Sequence, residues 1–420
     1  MDSSKSKSVI MHIDVNSAYL SWQAAYELQQ GAILDIRKIP SVIGGSQKNR
    51  KGIVLAKSIP AKACGILTGE PLWDAYRQCP DLLVRAPNYQ LYMQCSNALK
   101  ALLREYFPAV QRFSVDEFFV DYTGMDQDYG DPVAMAHGIK HRIASEMGFT
   151  VNIGIGENKL LAKMAGELKK PDLVHTLWPH EIKEKMWPLP VEELYMVGRK
   201  TAQKLKLLNI HTIGALAATD LNLLRNRFKS FAEIIWSYAN GMERSPVVNE
   251  GAIMKGLGHS STIKFNVEDQ ATAHKILLAL TEATVMRLRK SGFCCQLVSV
   301  TIRSSNLASY SHQKKLFSPT DSTNEIYQVV KDLFDESWKK EKIRLLGVRL
   351  GELTEDEVQQ LSFFDGPHRR KNQALDTVVD DIRQRYGKTA IMRGVFADGE
   401  ISPLIGGVGE DAYPMMNSIL

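Results

Sequence analysis

Three acidic residues stand where an apolar stretch of the chain ends or is interrupted. Asp14 closes the run at 9–14, and Asp116 with Glu117 interrupts the run at 110–122. Both runs have the composition of buried strands. Ionised carboxylates are costly to bury without a compensating cation, and Mg²⁺ prefers a few carboxylates together with substrate phosphates. Two such ions held by shared acids can activate a hydroxyl and stabilise a leaving oxygen, which is the chemistry of phosphoryl transfer.

These acids also have a structural explanation. Each of them could cap a strand end or pair with Arg112 or with a lysine. About 100 residues separate Asp14 from Asp116, and sequence distance alone does not bring the two together. Taken by themselves, the three acids favour the structural explanation.

The elements that must position these acids alternate between strand and helix over the first 176 residues. After them, residues 177–243 have the pattern of short helices, and 244–253 have no clear periodicity and predict a linker. Strand-like runs lie at 9–14, 52–56, 110–122 and 150–156, and helical patterns lie at 17–30, 89–106, 132–147 and 158–169.

Residues 260–352 follow a β-α-β-β-α-β pattern. In its second strand Val298, Val300 and Ile302 alternate with polar residues. This alternation predicts a sheet with one face packed on two helices and one polar face. The predicted strands are 260–267, 295–304, 310–317 and 344–353, and the predicted helices lie near 270–291 and 322–341.

The net charge of +5 is unevenly distributed. Residues 254–352 carry 15 basic and 10 acidic groups, whereas 353–420 carry 7 basic and 11 acidic groups. A basic sheet domain fits a polyanion such as nucleic acid. A solvated surface with an uneven distribution of charge explains the same numbers.

Composition excludes several classes of protein. The five cysteines include no C-x-x-C pair, so we expect neither a disulfide framework nor a zinc site, and we expect a reducing, cytoplasmic setting. No apolar stretch approaches 18 residues, which argues against a membrane protein. The polar N-terminus lacks the features of a signal peptide.

Several short motifs occur in an order that is known from one enzyme family. Residues 12–19 (HIDVNSAY) and 112–119 (RFSVDEFF) are followed by 154–163 (GIGENKLLAK) and by the Lys-Pro pair at 170–171. Between the first two lie residues 61–66 (AKACGI) and 87–92 (PNYQLY). From about residue 9 to about residue 352 the chain resembles the Y-family translesion DNA polymerases, particularly their UmuC-like branch.

The resemblance implies a right-hand polymerase of the α+β class. Its parts would be a ferredoxin-like palm, small fingers, a helical thumb and a βαββαβ little finger. The implied bounds are 1–17 and 85–176 for the palm, 18–84 for the fingers, 177–243 for a helix-hairpin-helix-like thumb, 244–253 for the linker, 254–352 for the little finger and 353–420 for a tail.

The resemblance also implies roles for residues that match the family's motifs. Asp14, Asp116 and Glu117 would be the catalytic acids and, with the Val15 carbonyl, would hold two Mg²⁺ ions. Tyr19 would be the steric gate that excludes a 2′-hydroxyl. The nucleotide site would consist of Asn16, Ser17, Ala18, Tyr19, Lys62 and Lys170.

Contacts with DNA and with a sliding clamp are implied as well. Gly198 and Lys200 lie in the helix-hairpin-helix-like segment, and Arg303 and Lys314 are expected on the exposed face of the basic sheet. One segment in the tail resembles the bacterial clamp-binding pentapeptide, although it could instead be an apolar strand packed on the protein itself. The clamp-binding residues would be Gln360, Leu361, Ser362, Phe363 and Phe364.

Three positions depart from the patterns of the wider family. Asn16 stands where other branches often carry Asp, Ile59 replaces the Tyr of the DinB-like branch, and Gly156 stands where Ser is common. None of these differences removes an expected metal ligand.

The resemblance therefore predicts a monomeric DNA-directed DNA polymerase that copies damaged templates at low fidelity. Its substrates would be primer-template DNA and dNTPs. One alternative is a non-catalytic scaffold that binds DNA and the clamp and recruits another polymerase, but a scaffold does not need the three acids. Another is a nucleotidyl cyclase, which would not need the thumb, the basic sheet domain or the clamp-like peptide.

Overall fold

The computed structural model describes residues 8–45, 50, 52–249, 254–355, 368–387, 389–397, 399 and 401. They divide into two compact units, the first formed mainly by residues up to 249 and the second mainly by residues from 254 onward. No helix in these ranges is both long and apolar enough to cross a bilayer.

Short strands build the first unit. The first strand is buried on both faces over its whole length. The strands are β1 (Ile10–Val15), β2 (Ser41–Gly44), β3 (Val54–Lys57), β4 (Leu83–Arg85), β5 (Val110–Arg112), β6 (Glu117–Asp121), β7 (Val151–Gly156) and β8 (Val174–Leu177).

The helices of the first unit cover these sheets and continue into a helical segment after β8. They are α1 (Ala18–Gln29), α2 (Ile59–Ala63), α3 (Leu72–Gln78), α4 (Tyr89–Tyr106), α5 (Asp126–Tyr129), α6 (Pro132–Met147), α7 (Lys159–Glu167), α8 (Arg199–Lys206), α9 (Ile213–Ala218), α10 (Leu221–Phe228) and α11 (Phe231–Ala239).

The larger sheet of this unit has the strand order β5-β6-β1-β7-β8. Strand β1 pairs antiparallel with β6 and β7, and β7 pairs parallel with β8. Helices α1, α4 and α6 contribute to the main apolar core, with Trp22, Leu102 and Ile139 fully or almost fully buried. A smaller sheet, β3-β2-β4, packs its own apolar cluster against α2 and α3.

Helix α7 lies directly on β7 and β1. A Cβ atom added to Gly154 would lie 2.0 Å from the carbonyl oxygen of Ala162, so only glycine allows this approach. The predicted helical segment at 177–243 contains α8 to α11 and forms a separate apolar cluster around Leu205, Leu224 and Ile235.

The second unit has the predicted β-α-β-β-α-β order. Its sheet is antiparallel throughout, in the strand order β11-β10-β12-β9, and the apolar side chains of the second strand pack on the two helices as expected. The elements are β9 (Gly256–Val267), α12 (Gln270–Lys290), β10 (Phe293–Ser304), β11 (Ser309–Thr320), α13 (Thr323–Ser337) and β12 (Ile343–Glu355).

The predicted boundary at 352 leaves out residues that belong to this unit. Helix α14 (His368–Tyr386) is buried against it at Asp376 and Arg383, and Phe396 and Ile401 enter its apolar core. The prediction of a separate tail was wrong for these residues, because their buried side chains include charged ones that a sequence pattern assigns to solvent. The clamp-like peptide Gln360–Phe364 lies outside the described residues.

Candidate active site

The three acids meet at one end of the larger sheet. Asp14, at the end of β1, lies directly opposite Glu117, the first residue of β6. The backbone N–H of Val15 donates to the carbonyl oxygen of Asp116 at 3.1 Å. All three carboxylates line one cavity of about 690 Å³. The antiparallel register therefore joins two motifs that are about 100 residues apart.

Asp14 is only 8% exposed and is bound by Lys170. The Lys170 ammonium donates to Asp14 Oδ2 and, at 2.7 Å, to Glu167 Oε1. Burial raises the pKa of the Asp14 carboxyl, against the opposing influence of Lys170. Burial lowers the pKa of Lys170, but the two carboxylates outweigh it and the net shift is upward. Lys170 therefore stays protonated beside the acid.

Among the described residues, the Asp116 carboxylate has a neutral partner and no cationic one. Ser114 Oγ donates to Asp116 Oδ1 at 2.5 Å. Burial and the charges of Asp14 and Glu117 raise the pKa of Asp116 to about 6, although the serine hydrogen bond acts in the opposite direction. This carboxyl consequently carries uncompensated negative charge at neutral pH, which is the condition that favours a bound cation.

Glu117 is held by two residues that the sequence reasoning did not identify. Lys163 Nζ donates to Glu117 Oε2 at 2.6 Å, and His12 Nε2 lies 3.4 Å from the same oxygen. Burial raises the pKa of Glu117, but the hydrogen bonds from His12 and Lys163 outweigh it and lower the pKa to about 2. Burial and the charge of Lys163 lower the pKa of His12, so its imidazole is neutral at pH 7.

The donor set fits Mg²⁺. Carboxylate oxygens from neighbouring strand ends face one cavity, and this hard cation prefers such ligands. Within the described ranges, no three His, Cys, Asp or Glu side chains are grouped closely enough to hold an ion. The acids instead point to Lys170, Ser114 and Lys163. Lys170 occupies Oδ2 of Asp14, so a metal ion that used this oxygen would require Lys170 to leave it.

Tyr19 lines the same cavity from the first turn of α1. Its ring stacks on Tyr92 with centroids 4.7 Å apart and an interplanar angle of 8°, and Tyr89 meets it edge-on at 6.2 Å. Tyr92 is fully buried. The motif at 87–92 places Tyr89 and Tyr92 three residues apart on α4, and this spacing could have indicated that both support one ring.

The backbone from Asn16 to Ala18 lines the cavity beside the acids. Ser17 adopts a left-handed conformation at the N-cap of α1, with φ 50°. The side-chain Nδ2 of Asn16 donates to Thr150 Oγ1 at 3.1 Å, which fixes this turn to the segment that contains Thr150. The N-terminus of α1 therefore presents backbone N–H groups near the cavity, where they favour anions.

Two lysines approach the cavity from the small sheet and α2. Lys57 Nζ donates to the carbonyl oxygen of Ile66 at 2.6 Å, and its pKa is lowered by burial and by the charge of Lys62. The side chain of Lys62 has no ion pair or hydrogen bond within the described residues. Lys62 is therefore available for a ligand phosphate. Ile59, which is 62% exposed, lines the same wall.

Of the residues expected to contact DNA, the two in the second unit lie on opposite faces of its sheet. Gly198 is the N-cap of α8 and Lys200 is exposed in the first turn of that helix. In the second unit Arg303 pairs with Ser309, whereas Lys314 pairs with Val298. Because directly paired residues of an antiparallel sheet share a face, Lys314 lies on the helix-covered side, opposite to Arg303.

The polar face of that sheet carries two further basic residues, Lys315 and Arg349, and the sequence reasoning missed Arg349. Arg349 pairs with Ser299, and Lys315 pairs with Leu297, so both share the face of Arg303. Lys315 forms an ion pair with Glu352 at 2.7 Å, whereas Arg349 is exposed. The strict alternation of β12 around Val348 could have identified Arg349. Strand β11 is polar on both faces and gives no such signal.

Family models match most of the chain. The model described as the impB/mucB/samB family matches residues 13–167, and its C-terminal domain matches 254–363. A model described as the IMS family HHH motif matches 179–210, which overlaps the helix-hairpin-helix-like segment expected from the sequence.

Curated relatives are similar over almost their whole length. The DNA polymerase IV of Clostridium acetobutylicum is 46% identical over 93% of this chain and 99% of its own. DNA polymerase IV 2 of Bacillus subtilis is 35% identical over 92% and 93%. Both carry the name DNA polymerase IV, so they do not support the narrower UmuC-like assignment expected from the sequence.

Solved structures show a similar fold. A Y-family DNA polymerase chimera of Dbh and Dpo4 aligns with a TM-score of 0.71 at 22% identity, over 82% of this chain and 99% of that one. DinB from Sulfolobus solfataricus aligns with a TM-score of 0.54 at the same identity, over 82% and 98%. The expected α+β polymerase fold is therefore confirmed.

Proposed function

This chain belongs to the impB/mucB/samB family, and we propose that the cavity lined by Asp14, Asp116 and Glu117 is the active site of its polymerase reaction. The chain is a DNA-directed DNA polymerase of the translesion type. One observation carries the assignment of the site. The pairing of Asp14 with Glu117 puts three acids in one cavity with the lysines at 62 and 170.

Asp14, Asp116, Glu117 and the Val15 carbonyl would hold two Mg²⁺ ions. Such ions activate the primer 3′-hydroxyl and stabilise the leaving pyrophosphate. Lys170 is 34% exposed, so its ammonium could turn from Asp14 to a substrate phosphate. Lys62 and the backbone N–H groups at the start of α1 bind the triphosphate from the other sides of the cavity.

Tyr19 acts as the gate for the sugar. Its stacking on Tyr92 fixes the ring at the cavity wall, where a 2′-hydroxyl would clash with it. We expect Tyr19→Ala to lower the preference for dNTPs over rNTPs by roughly a hundredfold, because the substrates differ by one hydroxyl. Single-nucleotide incorporation with each substrate measures this. An unchanged preference in the variant contradicts the assignment.

DNA binding is proposed for the N-terminal turn of α8 and for the polar face of the second unit's sheet. Exposed Lys200 and the backbone at Gly198 suit a phosphate contact, and Arg303 and Arg349 suit further ones. Such contacts supply affinity without sequence preference.

Three finer assignments rest on the sequence or on the names of relatives. The curated relatives favour the DNA polymerase IV branch over the UmuC-like branch. Clamp binding by Gln360–Phe364 stays a proposal from the peptide pattern, and co-purification of a sliding clamp with wild type but not with Gln360→Ala would support it. A cytoplasmic location also stays a prediction, in agreement with five free cysteines.

Primer extension tests the proposed site directly. Asp116→Ala is expected to abolish extension by the full chain with Mg²⁺ and dNTPs, while salt-sensitive DNA binding remains. Asp128→Ala is the matched control, because this acid is exposed on α5 and does not line the cavity. Extension by the Asp116 variant at the rate of the control would refute the assignment. That result would favour the alternative of a non-catalytic scaffold, which the similarity to DNA polymerases does not support.

A further inference from the structure

Glu117 lines the cavity, and among the described residues only one of its two carboxylate oxygens has a partner. Both Lys163 and His12 contact Oε2, at 2.6 Å and 3.4 Å. Hydrogen bonds or ion pairs to Oε1 are absent among the described residues. The two oxygens of this carboxylate are therefore not equivalent.

Lys163 is fixed far more firmly than the other lysine of the site. Its side chain is 9% exposed, compared with 34% for Lys170. The Lys163 ammonium lies 5.3 Å from the ring centroids of both Phe113 and Tyr195. Contacts of this kind stabilise a desolvated cation. Lys163 also sits on α7, whose position on β7 is fixed by the close approach at Gly154.

We propose that Lys163 is a positioning residue that keeps Glu117 Oε2 occupied, so that Glu117 offers a metal ion only Oε1 and the site selects Mg²⁺ over Ca²⁺. This inference rests on the proposed function of the cavity. Lys170 cannot occupy Glu117 in this way, because its ammonium donates to Asp14 and to Glu167 instead.

The selectivity follows from the coordination preferences of the two ions. Mg²⁺ needs a nearly ideal octahedron and accepts single carboxylate oxygens, whereas Ca²⁺ takes six to eight oxygens and often binds both oxygens of one carboxylate. A lysine that is held on Oε2 blocks the bidentate mode. Its positive charge repels both divalent ions equally, so the charge alone leaves their ratio of affinities unchanged.

Calorimetric titration of Mg²⁺ and of Ca²⁺ tests this inference without catalysis. The titrated complex contains the full chain, a dideoxy-terminated primer-template and a dNTP. We expect Lys163→Met to shift the ratio of the two dissociation constants about tenfold in favour of Ca²⁺, because the freed Oε2 permits bidentate binding. We expect Lys163→Arg, which retains donors, to restore most of the wild-type ratio. Lys159→Met, a buried lysine of the same helix outside the cavity, is the control.

The outcomes separate this inference from the proposed function. An equal change in both dissociation constants, or no change, overturns the selectivity role and leaves the polymerase site intact. If neither ion binds differently to wild type and to Asp116→Asn, the proposed metal site itself fails. Thermal melting checks that each variant folds, and Lys163→Gln replaces the Met variant if that one unfolds.

Discussion

Two adjacent carboxylates have opposite electrostatic environments. The pKa of Asp116 is raised to about 6, whereas that of Glu117 is lowered to about 2. Both side chains lose hydration, so their partners decide the difference. Asp116 has the Ser114 hydroxyl, while Glu117 has the Lys163 ammonium and the His12 imidazole. At neutral pH the Asp116 carboxylate is therefore the member of the pair that most needs a cation.

This difference predicts a pH-dependent stability of the metal-free protein. Because the folded-state pKa of Asp116 lies above its unfolded value of 3.8, its contribution to stability is present below about pH 4. That contribution is lost as the pH rises through about 6. Asp116→Asn keeps a neutral side chain at every pH. We expect the variant to exceed wild type by about 3 kcal/mol in unfolding free energy at pH 7 and to match it near pH 4.

Urea unfolding in the presence of a chelator measures this difference. Added Mg²⁺ should reduce it, because the ion stabilises only the ionised wild-type carboxyl. If the difference in unfolding free energy between variant and wild type stays constant from pH 4 to pH 7, ionisation of Asp116 does not destabilise the folded protein.

At the level of these residues, the motifs predicted that the three acids act together, and the structure brings them to one cavity. Apolar runs that end in acids indicate buried carboxylates, and the motif order indicates their common function. The contacts of Lys163 and His12 with Glu117 were not predicted, because they depend on where α7 lies on the sheet. That placement follows from the close approach at Gly154, which no local pattern displays.

Helix α14 reverses the usual polarity of a surface helix. Its charged residues Asp376 and Arg383 are buried, whereas Leu375 and Val378 are 55% exposed. Asp376 Oδ2 accepts from the first backbone N–H of α13, at Thr323, over 2.8 Å. This arrangement explains why the helix was assigned to a separate tail. Sequence patterns place apolar residues inside, and here the attachment is made by ion pairs.

These ion pairs predict a large loss of stability when one partner is removed. Arg383 Nη2 lies 3.2 Å from Glu282 Oε2, and both side chains are at most 5% exposed. Arg393 Nε holds the other oxygen at 2.6 Å. We expect Arg383→Leu to destabilise the second unit by about 3 kcal/mol, at the lower end of the range for a broken buried pair, because Arg393 still compensates Glu282.

Arg385→Leu is the matched control, since Arg385 is exposed on the same helix. Thermal melting and limited proteolysis of both variants check the expectation. Equal melting temperatures for the two variants would mean that the buried pair contributes nothing to the attachment of α14.

For DNA binding by the whole molecule, the distribution of charge is more informative than the net charge of +5. The basic excess of residues 254–352 was expected to serve DNA binding, but the excess alone does not say which face the DNA contacts. The sheet register shows instead how the basic side chains divide between the two faces. It puts Arg303 and Arg349 on the face opposite to α12 and α13, and it puts exposed Lys314 on the other face. The register thus separates the cationic residues of the open face from those of the helix-covered face, which composition could not do.

Salt dependence of DNA binding by the full chain distinguishes the two faces. Each phosphate contact that is lost lowers the slope of log affinity against log salt by about 1, so the double variant Arg303→Gln with Arg349→Gln should lower it by about 2. Lys314→Gln removes an exposed charge from the helix-covered side and should leave the slope nearly unchanged. If Lys314→Gln reduces the slope as much as either arginine substitution, DNA is attracted by the total charge of the domain. If only the arginine substitutions reduce it, the open face of the sheet carries the phosphate contacts.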